Sequence, residues 1–355
     1  MRVKIIFLLL LALTGWKETA GQKITVTDIV GRRVTLDAPA ERLILGEGRS
    51  MVTLSLLYED PAAAVVGWMS DFKKSGGWLY DDYVKRFPEI ERIKSIGAMG
   101  QETVSTEQII ALRPDLAIFS AGSHGPNAKS ASTIRQLEAA GIPIVFIDFR
   151  LHPIKNTIPS MKILGQVLGK EKEAEAYIEF YDQRLSRIEN KVTGSQSADR
   201  PKVYMEMIRG KLSGSPGKGN LGEYVGWLGG HNIGDVLPGE VGELNAEYVI
   251  DQQPEIYVAT GLAVPGQPGF VIGYGIEKEQ ARISLESLTK RATMRPLKAV
   301  NEGRVFGMWH LFYDSPLNIV AIEAMAGWIR PELFPDSDPQ STLTELNDRF
   351  LALPL

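Results

Sequence analysis

The sequence predicts an α/β protein of two doubly wound lobes, joined by one long rigid helix, with a ligand cleft between the lobes. Three observations support this fold class. A chain of 355 residues favours about two domains. Short apolar runs alternate with helical patterns in both halves of the sequence, which is typical of parallel sheets. A segment of about ten residues in the first half also recurs in outline in the second half.

The repeated segment occupies residues 107–116 and 247–256. Each copy begins with a glutamate, Glu107 or Glu247, followed by apolar residues, a proline, a second acid and an apolar run. Two lobes of similar build suggest a binder that presents a matched pair of carboxylates to a symmetric partner. Alternatively, the repeat is only a recurring helix–proline–strand connection, because the residue before a proline is pushed out of the helical region.

The N-terminus has the pattern of an export signal over residues 1–21. Arg2 and Lys4 precede an unbroken apolar run at 5–13, which is shorter than the roughly 20 residues needed to cross a bilayer. The chain has no cysteine, which excludes disulfides, thiolate metal sites and a lipid-modified cysteine after the signal. An unanchored exported binder would diffuse away from a cell with one membrane. The expected protein is therefore a monomer in the periplasm of a two-membrane bacterium.

The elements of the first lobe follow from its apolar runs. Two short runs flank a turn and predict a hairpin at 24–36. Candidate strands lie at 43–45, 64–67, 116–119 and 144–147, with helical patterns at 51–58, 106–112 and 130–140. Trp78 and Tyr80 lie in a polar stretch, where they form either a cover over the cleft or a local packing cluster.

The clearest helical pattern lies in the middle of the chain. Apolar side chains recur at three- and four-residue steps over 170–192, which predicts a rod of about 35 Å. Beyond a polar break, candidate strands lie at 203–208, 256–259 and 305–308, with a helix at 318–329. Residues 213–215 are expected to form a flexible loop. The predicted organisation is a signal peptide at 1–21, an N-terminal lobe at 22–169, a linking helix at 170–193 and a C-terminal lobe at 194–355.

The loops that follow the strands are the candidate ligand site, because open parallel sheets bind ligands beyond the carboxyl ends of their strands. These loops include residues 46–50, 148–152 and 309–314, and they are rich in aromatic and basic side chains such as Arg150. The predicted ligand-binding residues are Arg49, Trp68, Arg209, Lys211, Tyr274, Trp309, His310 and Tyr313.

Motifs for other functions are weak. Residues 217–222 match a dinucleotide-binding pattern, but they do not directly follow a first strand as that site requires. The four histidines form no HExxH motif, and no nucleophile is paired with a base. Neither catalysis nor a cofactor or resident metal is therefore expected. A net charge of −4 gives no electrostatic footprint for nucleic acid.

Several segments together resemble the periplasmic binding proteins that deliver ferric siderophores, haem and vitamin B12 to ABC importers. The resemblance covers about 24–350, and it is carried by residues 27–32, 38–44, 96–97, 107–115, 137–144, 229–233 and 331–334. It implies two lobes joined by a rigid helix, no catalysis, and one acidic residue per lobe that docks onto arginines of the permease. By motif position these are Glu107 and Glu247. The stretch 73–92 is longer than the usual family connection.

The sequence therefore predicts a periplasmic solute-binding protein that carries a ferric siderophore to an ABC permease of the inner membrane. Ferric siderophores are commonly anionic or rich in oxygen acceptors, which suits arginines and aromatic rings at a cleft. A haem or cobalamin-like ring is the alternative of the same class, with Tyr274, Tyr313 or His310 as the axial ligand. The alternative of another class is an exported hydrolase or an adhesive surface module.

Overall fold

The computed structural model describes residues 23–122, 125–195, 199–209, 212–263 and 269–355, and for 208, 209, 212 and 213 the backbone alone. The predicted signal peptide at 1–21 and the predicted ligand residue Lys211 lie outside the described residues. We call the part before the long central helix the N-terminal lobe and the part after it the C-terminal lobe. The limits predicted for the two lobes stay a prediction.

The N-terminal lobe contains an antiparallel hairpin and a five-stranded parallel sheet in the order β5-β4-β3-β6-β7. Its strands are β1 (Ile24–Thr27), β2 (Arg33–Leu36), β3 (Leu43–Leu45), β4 (Val65–Met69), β5 (Lys94–Gly97), β6 (Leu116–Ser120) and β7 (Ile144–Ile147). Its helices are α1 (Ser50–Leu54), α2 (Asp71–Ser75), α3 (Trp78–Arg86), α4 (Thr106–Ala111), α5 (Ala131–Ala139) and α6 (Pro153–Leu168), with 3-10 turns at Pro88–Arg92 and Gln101–Thr103.

The linking helix α7 (Glu171–Thr193) leads into a C-terminal lobe whose sheet has the order β11-β9-β8-β12-β13, with β10 also on β8. Its strands are β8 (Lys202–Arg209), β9 (Leu212–Pro216), β10 (His231–Asn232), β11 (Val241–Gly242), β12 (Ile256–Gly261) and β13 (Val305–Trp309). Its helices are α8 (Asn220–Trp227), α9 (Ala246–Gln252), α10 (Lys278–Thr289), α11 (Lys298–Asn301), α12 (His310–Tyr313), α13 (Asn318–Ile329) and α14 (Pro339–Arg349), with a 3-10 turn at Ile233–Val236.

This architecture confirms the predicted fold class, with one local difference. Residues 213–215, expected as a flexible loop, belong to β9, which pairs antiparallel with β8. Because β9 pairs with β8 on one side and β11 on the other, its backbone groups are satisfied inside a sheet. The central strands β8, β12 and β13 are parallel, so their carboxyl ends lie at one edge, as in the N-terminal lobe.

One hydrophobic core runs through both lobes rather than ending at a boundary. It includes Leu43 of β3, Tyr177 of α7 and Val203 of β8. At the back of the molecule the Tyr181 hydroxyl donates to Asn318 Oδ1 at 2.8 Å, which joins α7 to α13. Opening the lobes would expose part of this shared apolar surface to water, so the connection is stiff.

The repeated segment folds in the same way in both lobes. Ser105 caps α4 by accepting from the Gln108 amide, and Asn245 caps α9 by accepting from the Glu247 amide. Glu107 and Glu247 are both the second residue of their helices, and both are exposed. Each helix runs antiparallel to the strand that follows it, so its first turn lies toward the edge where the strands end.

The second acid of the repeat has a different and structural role. Asp115 donates its amide to the Arg42 carbonyl at 2.8 Å, and its carboxylate accepts from the Arg42 amide at 3.0 Å. Glu255 makes the same two contacts with Lys202, at 2.8 and 3.2 Å. These acids tie the start of β6 to β3 and the start of β12 to β8. The repeat therefore includes a recurring connection, and its leading glutamates remain exposed beside it.

Candidate functional site

A small cavity lies between the lobes, at the carboxyl edges of both sheets. Its volume is about 60 Å³. It is lined by Gly46, Glu47, Arg49, Asp71, Ser75, Met99 and Gly125 of the N-terminal lobe and by Leu262 and His310 of the C-terminal lobe. Most of these residues directly follow β3, β4, β12 or β13, which is where parallel sheets hold their ligands.

Arg49 connects the two lobes at this cavity. Its Nε donates to Glu47 Oε2 at 2.9 Å, and its Nη1 donates to Asp314 Oδ2 of the C-terminal lobe at 2.7 Å. Burial by itself would lower the pKa of Arg49, but the carboxylates of Asp314, Glu47 and Asp71 raise that pKa above its ordinary value. The guanidinium is therefore charged, and it is held by carboxylates from both sides of the cleft.

Asp314 is the common partner of several cationic groups. Its side chain has no exposed surface, and its Oδ1 lies 3.3 Å from the Arg150 Nε. His310 Nε2 lies 3.6 Å from Asp314 Oδ2, and the Tyr313 hydroxyl lies 2.6 Å from His310 Nδ1. A second void of about 20 Å³ borders this cluster, between Arg49, Arg150 and Asp314.

Asp71 orders the loop after β3. Its carboxylate accepts from the amides of Gly48, at 2.6 Å, and Arg49, at 3.3 Å. The loop passes so close to β4 that a Cβ on Gly48 would lie 2.2 Å from the Met69 carbonyl oxygen, so only glycine fits there. Burial and the nearby Glu47 raise the pKa of Asp71 to about 6, although Arg49 opposes this.

The predicted aromatic ligand residues lie elsewhere. Trp68 of β4 is 3% exposed and packs against Phe72 and Tyr80 in the N-terminal core. Trp309 and Tyr274 instead border an apolar pocket of about 580 Å³ on the C-terminal lobe. Two of the eight predicted residues, Arg49 and His310, line the cavity between the lobes.

Tyr313 is buried, and its hydroxyl contacts His310. The two remaining predicted residues are Arg209 and Lys211. Arg209 ends β8, but its side chain is not among the described ones, and Lys211 lies outside the described residues. The ligand-binding roles of all eight residues stay predictions.

Helix α3 of the N-terminal lobe contacts the C-terminal lobe. The Tyr274 hydroxyl donates to Asp82 Oδ2 at 2.7 Å, and a Cβ on Gly275 would lie 2.6 Å from the Trp78 ring. Tyr80, by contrast, is buried against Phe72. Of the two possibilities left open for this segment, Trp78 contacts the opposite lobe and Tyr80 forms part of a packing cluster.

The sequence reasoning missed the acidic half of the site. Glu47, Asp71 and Asp314 lie in the loops selected as ligand-binding, but only the basic and aromatic side chains of those loops were chosen. Buried charges are paired in proteins, because removing an ion from water costs several kcal/mol. An arginine buried in such a loop therefore indicates that an acidic side chain of a neighbouring loop pairs with it.

The described residues contain neither a metal-binding cluster of acidic or histidine side chains nor a membrane-spanning helix. Across the described ranges, no three histidine, aspartate or glutamate side chains are arranged to hold a metal ion. No helix in the same part of the chain is long and apolar enough to cross a membrane.

Comparison with known proteins identifies the family. The sequence pattern of the family described as "Periplasmic binding protein" matches residues 61–309. An uncharacterized ABC transporter substrate-binding lipoprotein, YvrC of Bacillus subtilis (strain 168), is 23% identical over 185 residues, 52% of this chain and 52% of that protein. The chain thus spans about half the length of this curated relative.

Solved structures agree with this assignment. The TroA-like periplasmic binding protein FepB from Veillonella parvula is 26% identical and superposes with a TM-score of 0.82, over 94% of this chain and 97% of that one. The molybdate-binding protein MolA of Haemophilus influenzae is 18% identical, with a TM-score of 0.67 over 92% and 97%, which shows a shared fold alone. These relatives are named as binding proteins, not as enzymes. Because the family match covers most of the sequence, this periplasmic protein belongs to the periplasmic binding protein family that the motifs indicated.

Proposed function

We propose that the protein is the substrate-binding component of an ABC importer, and that it carries an anionic iron chelate of the ferric siderophore type. The observation that carries this proposal is Arg49, a partly buried arginine that lines a cavity between the two lobes. The N-terminal lobe adds Arg150, and both arginines point at the same carboxylate of the opposite lobe. Two arginines that converge on one point favour a ligand with anionic oxygens, because charge-assisted hydrogen bonds are the strong ones.

The size of the cavity limits how the ligand enters. Sites for drug-sized ligands have volumes of roughly 300–1,000 Å³, whereas this cavity has about 60 Å³. A ferric siderophore therefore requires the lobes to separate, which breaks the Arg49–Asp314 contact. A compact oxyanion requires less opening. This observation favours a second candidate, because the structural relative MolA is a molybdate-binding protein.

The haem and cobalamin alternative draws no support from its three axial candidates. His310 and Tyr313 are buried in contact with each other, and Tyr274 donates to Asp82. Each would have to leave its present partner to ligate a metal in a ring. The pKa of Tyr274 is raised to about 12 by burial and by Asp82, which disfavours the phenolate that binds ferric iron.

Native mass spectrometry of protein from iron-starved cells tests the proposal by weighing the bound ligand. Thermal unfolding with ferric siderophores, haemin and molybdate then ranks the ligand classes. We expect ferric siderophores to raise the melting temperature most, because a bound ligand stabilises the folded state. A rise with haemin alone would contradict the anionic-chelate proposal. A rise with molybdate alone would replace it by the compact-oxyanion candidate.

We propose that Glu107 and Glu247 dock onto the permease. Both are exposed in the first turn of a helix that begins near the cleft edge of its lobe. Opposite charges across an interface steer encounter and fix orientation. Reversing both to lysine should abolish uptake in cells while ligand affinity stays unchanged. Glu175→Lys with Glu189→Lys, on exposed positions of α7, is the matched control and should transport normally.

A further inference from the structure

The contact between the two arginines and Asp314 joins groups from opposite lobes. Asp314 follows α12 in the C-terminal lobe, whereas Arg49 and Arg150 follow β3 and β7 in the N-terminal lobe. The Arg49 Nη1 to Oδ2 distance is 2.7 Å, and the Arg150 Nε to Oδ1 distance is 3.3 Å. Separating the lobes would therefore break both ion pairs at once.

The two arginines are held in place independently of Asp314. Arg49 is also bound by Glu47, which lies two residues away on the same loop and would move with it. The loop that carries Arg150 is ordered by Asp148, whose Oδ1 accepts from the amides of Arg150, at 2.9 Å, and Leu151, at 2.7 Å. Both arginines thus belong to the N-terminal lobe, and the C-terminal lobe supplies Asp314.

Open space adjoins the contact between Asp314 and the arginines. A void of about 20 Å³ borders Arg49, Arg150 and Asp314, and the cavity of about 60 Å³ borders Arg49. An anion that replaced the Asp314 carboxylate would face the guanidinium groups of both arginines.

We propose that Asp314 is a specificity-determining residue that competes with the ligand: its carboxylate occupies the position between Arg49 and Arg150 that an anionic oxygen of the ligand takes on binding. This inference rests on the proposed function, because it assumes an anionic ligand in the cleft. It implies selection by charge. A ligand displaces Asp314 only if it interacts with the two arginines better than one carboxylate does, so neutral chelates leave the Asp314 contact and the closed lobes in place.

The test compares Asp314→Asn with Glu47→Gln. Both variants remove one carboxylate from Arg49, but only the first removes a contact between the lobes. Dissociation constants are measured for ferric tris-catecholate and molybdate, with cyanocobalamin as a neutral probe. Small-angle scattering of each protein without ligand reports the separation of the lobes. Circular dichroism confirms folding, and Asp314→Ser serves as a second variant if Asp314→Asn does not fold.

We expect Asp314→Asn to bind whichever anion the unaltered protein binds about tenfold more tightly or better, and to exceed Glu47→Gln in this gain. It should also have a larger radius of gyration without ligand, whereas Glu47→Gln should not. Weaker anion binding by Asp314→Asn would overturn the inference and make Asp314 a residue that positions the arginines. Equal gains in the two variants would reduce the effect to general electrostatics. If no anionic probe binds the unaltered protein or Asp314→Asn, the proposed function itself fails.

Discussion

Two arginine–carboxylate clusters in this molecule differ in whether one lobe or both lobes supply their charged groups. Within the C-terminal lobe, Glu206 accepts hydrogen bonds from Nη1 and Nη2 of Arg291, at 2.8 and 2.5 Å. It also accepts from the Tyr257 hydroxyl at 2.5 Å. Between the lobes, Asp314 divides its two oxygens between Arg49 and Arg150, next to cavities.

The difference separates a structural role from a binding role. Glu206 belongs to β8 and Arg291 follows α10, so both move with one rigid lobe and nothing in the proposed transport cycle separates them. Asp314 and its arginines belong to different lobes, so any ligand that opens the cleft must break their contact. The bidentate Glu206–Arg291 pair, which we call the saturated pair, stabilises the fold. The cluster in which Asp314 is divided between two arginines, which we call the divided cluster, lies where a ligand can compete with the carboxylate.

The largest expected effect comes from breaking the saturated pair. Glu206→Ala should lower the free energy of unfolding by about 3–5 kcal/mol, because Arg291 is left with a partly buried and uncompensated charge. Urea unfolding measures this change. Glu279→Ala, which removes an exposed ion pair with Arg282, is the control and should leave the free energy of unfolding nearly unchanged, because solvent screens exposed charges. Similar costs for the two variants would show that the clusters do not differ as described.

Asp71 should make stability depend on pH near the inter-lobe cluster. Its pKa is raised from 3.8 to about 6, so the folded protein binds more protons than the unfolded chain between about pH 4 and 6. The stability from its protonated form is present below pH 4 and is lost as the pH rises through 6.

Asp71→Asn should therefore stabilise the protein by about 3 kcal/mol above pH 6, and by much less near pH 4. Urea unfolding at pH 4, 5, 6 and 7.5 tests this. Asp82→Asn is the opposite control, because hydrogen bonds from Lys85 and Tyr274 lower the pKa of Asp82. A stabilisation of Asp71→Asn that is constant across this range would contradict the burial argument.

Arg49→Gln tests the binding role of the divided cluster. Losing a hydrogen bond to a charged group costs about 1.5–3 kcal/mol, so the ligand should bind about ten- to a hundredfold more weakly. Arg291→Gln is the matched control, and it should keep full affinity at temperatures where it remains folded. Arg209→Ala probes the corresponding strand end of the C-terminal lobe. If Arg49→Gln and Arg209→Ala both keep full affinity, the aromatic side of the cleft carries recognition.

The smallest expected effect concerns the repeated helices. Ser105→Ala and Asn245→Ala each remove one side-chain cap, which should cost about 1 kcal/mol of unfolding free energy. Because α4 and α9 are equivalent, the two costs should agree. Thr106→Ala, which removes a hydroxyl next to the first cap, is the control. Unequal costs would show that the repeat is not equally important to the two lobes.

Part of the site could be predicted because it depends on topology alone. Parallel strands of one sheet end at the same edge, so the loops after β3 and β7 lie at one edge of the N-terminal sheet, where they carry Arg49 and Arg150. The position of Trp68 differs from the predicted one. It lies inside β4 rather than beyond it, and its ring is covered by α2 and α3, which the sequence did not show to pack there.

The sequence by itself determined the class of fold, the family and the matched positions of Glu107 and Glu247, because apolar periodicity and short repeats are local properties of the chain. Only the tertiary structure decided which charges meet. Arg49 and Asp314 are separated by 265 positions, and no pattern in either loop indicates the other. Their pairing depends on how two lobes pack across a shared core, and the ligand that fits between them depends on the same packing.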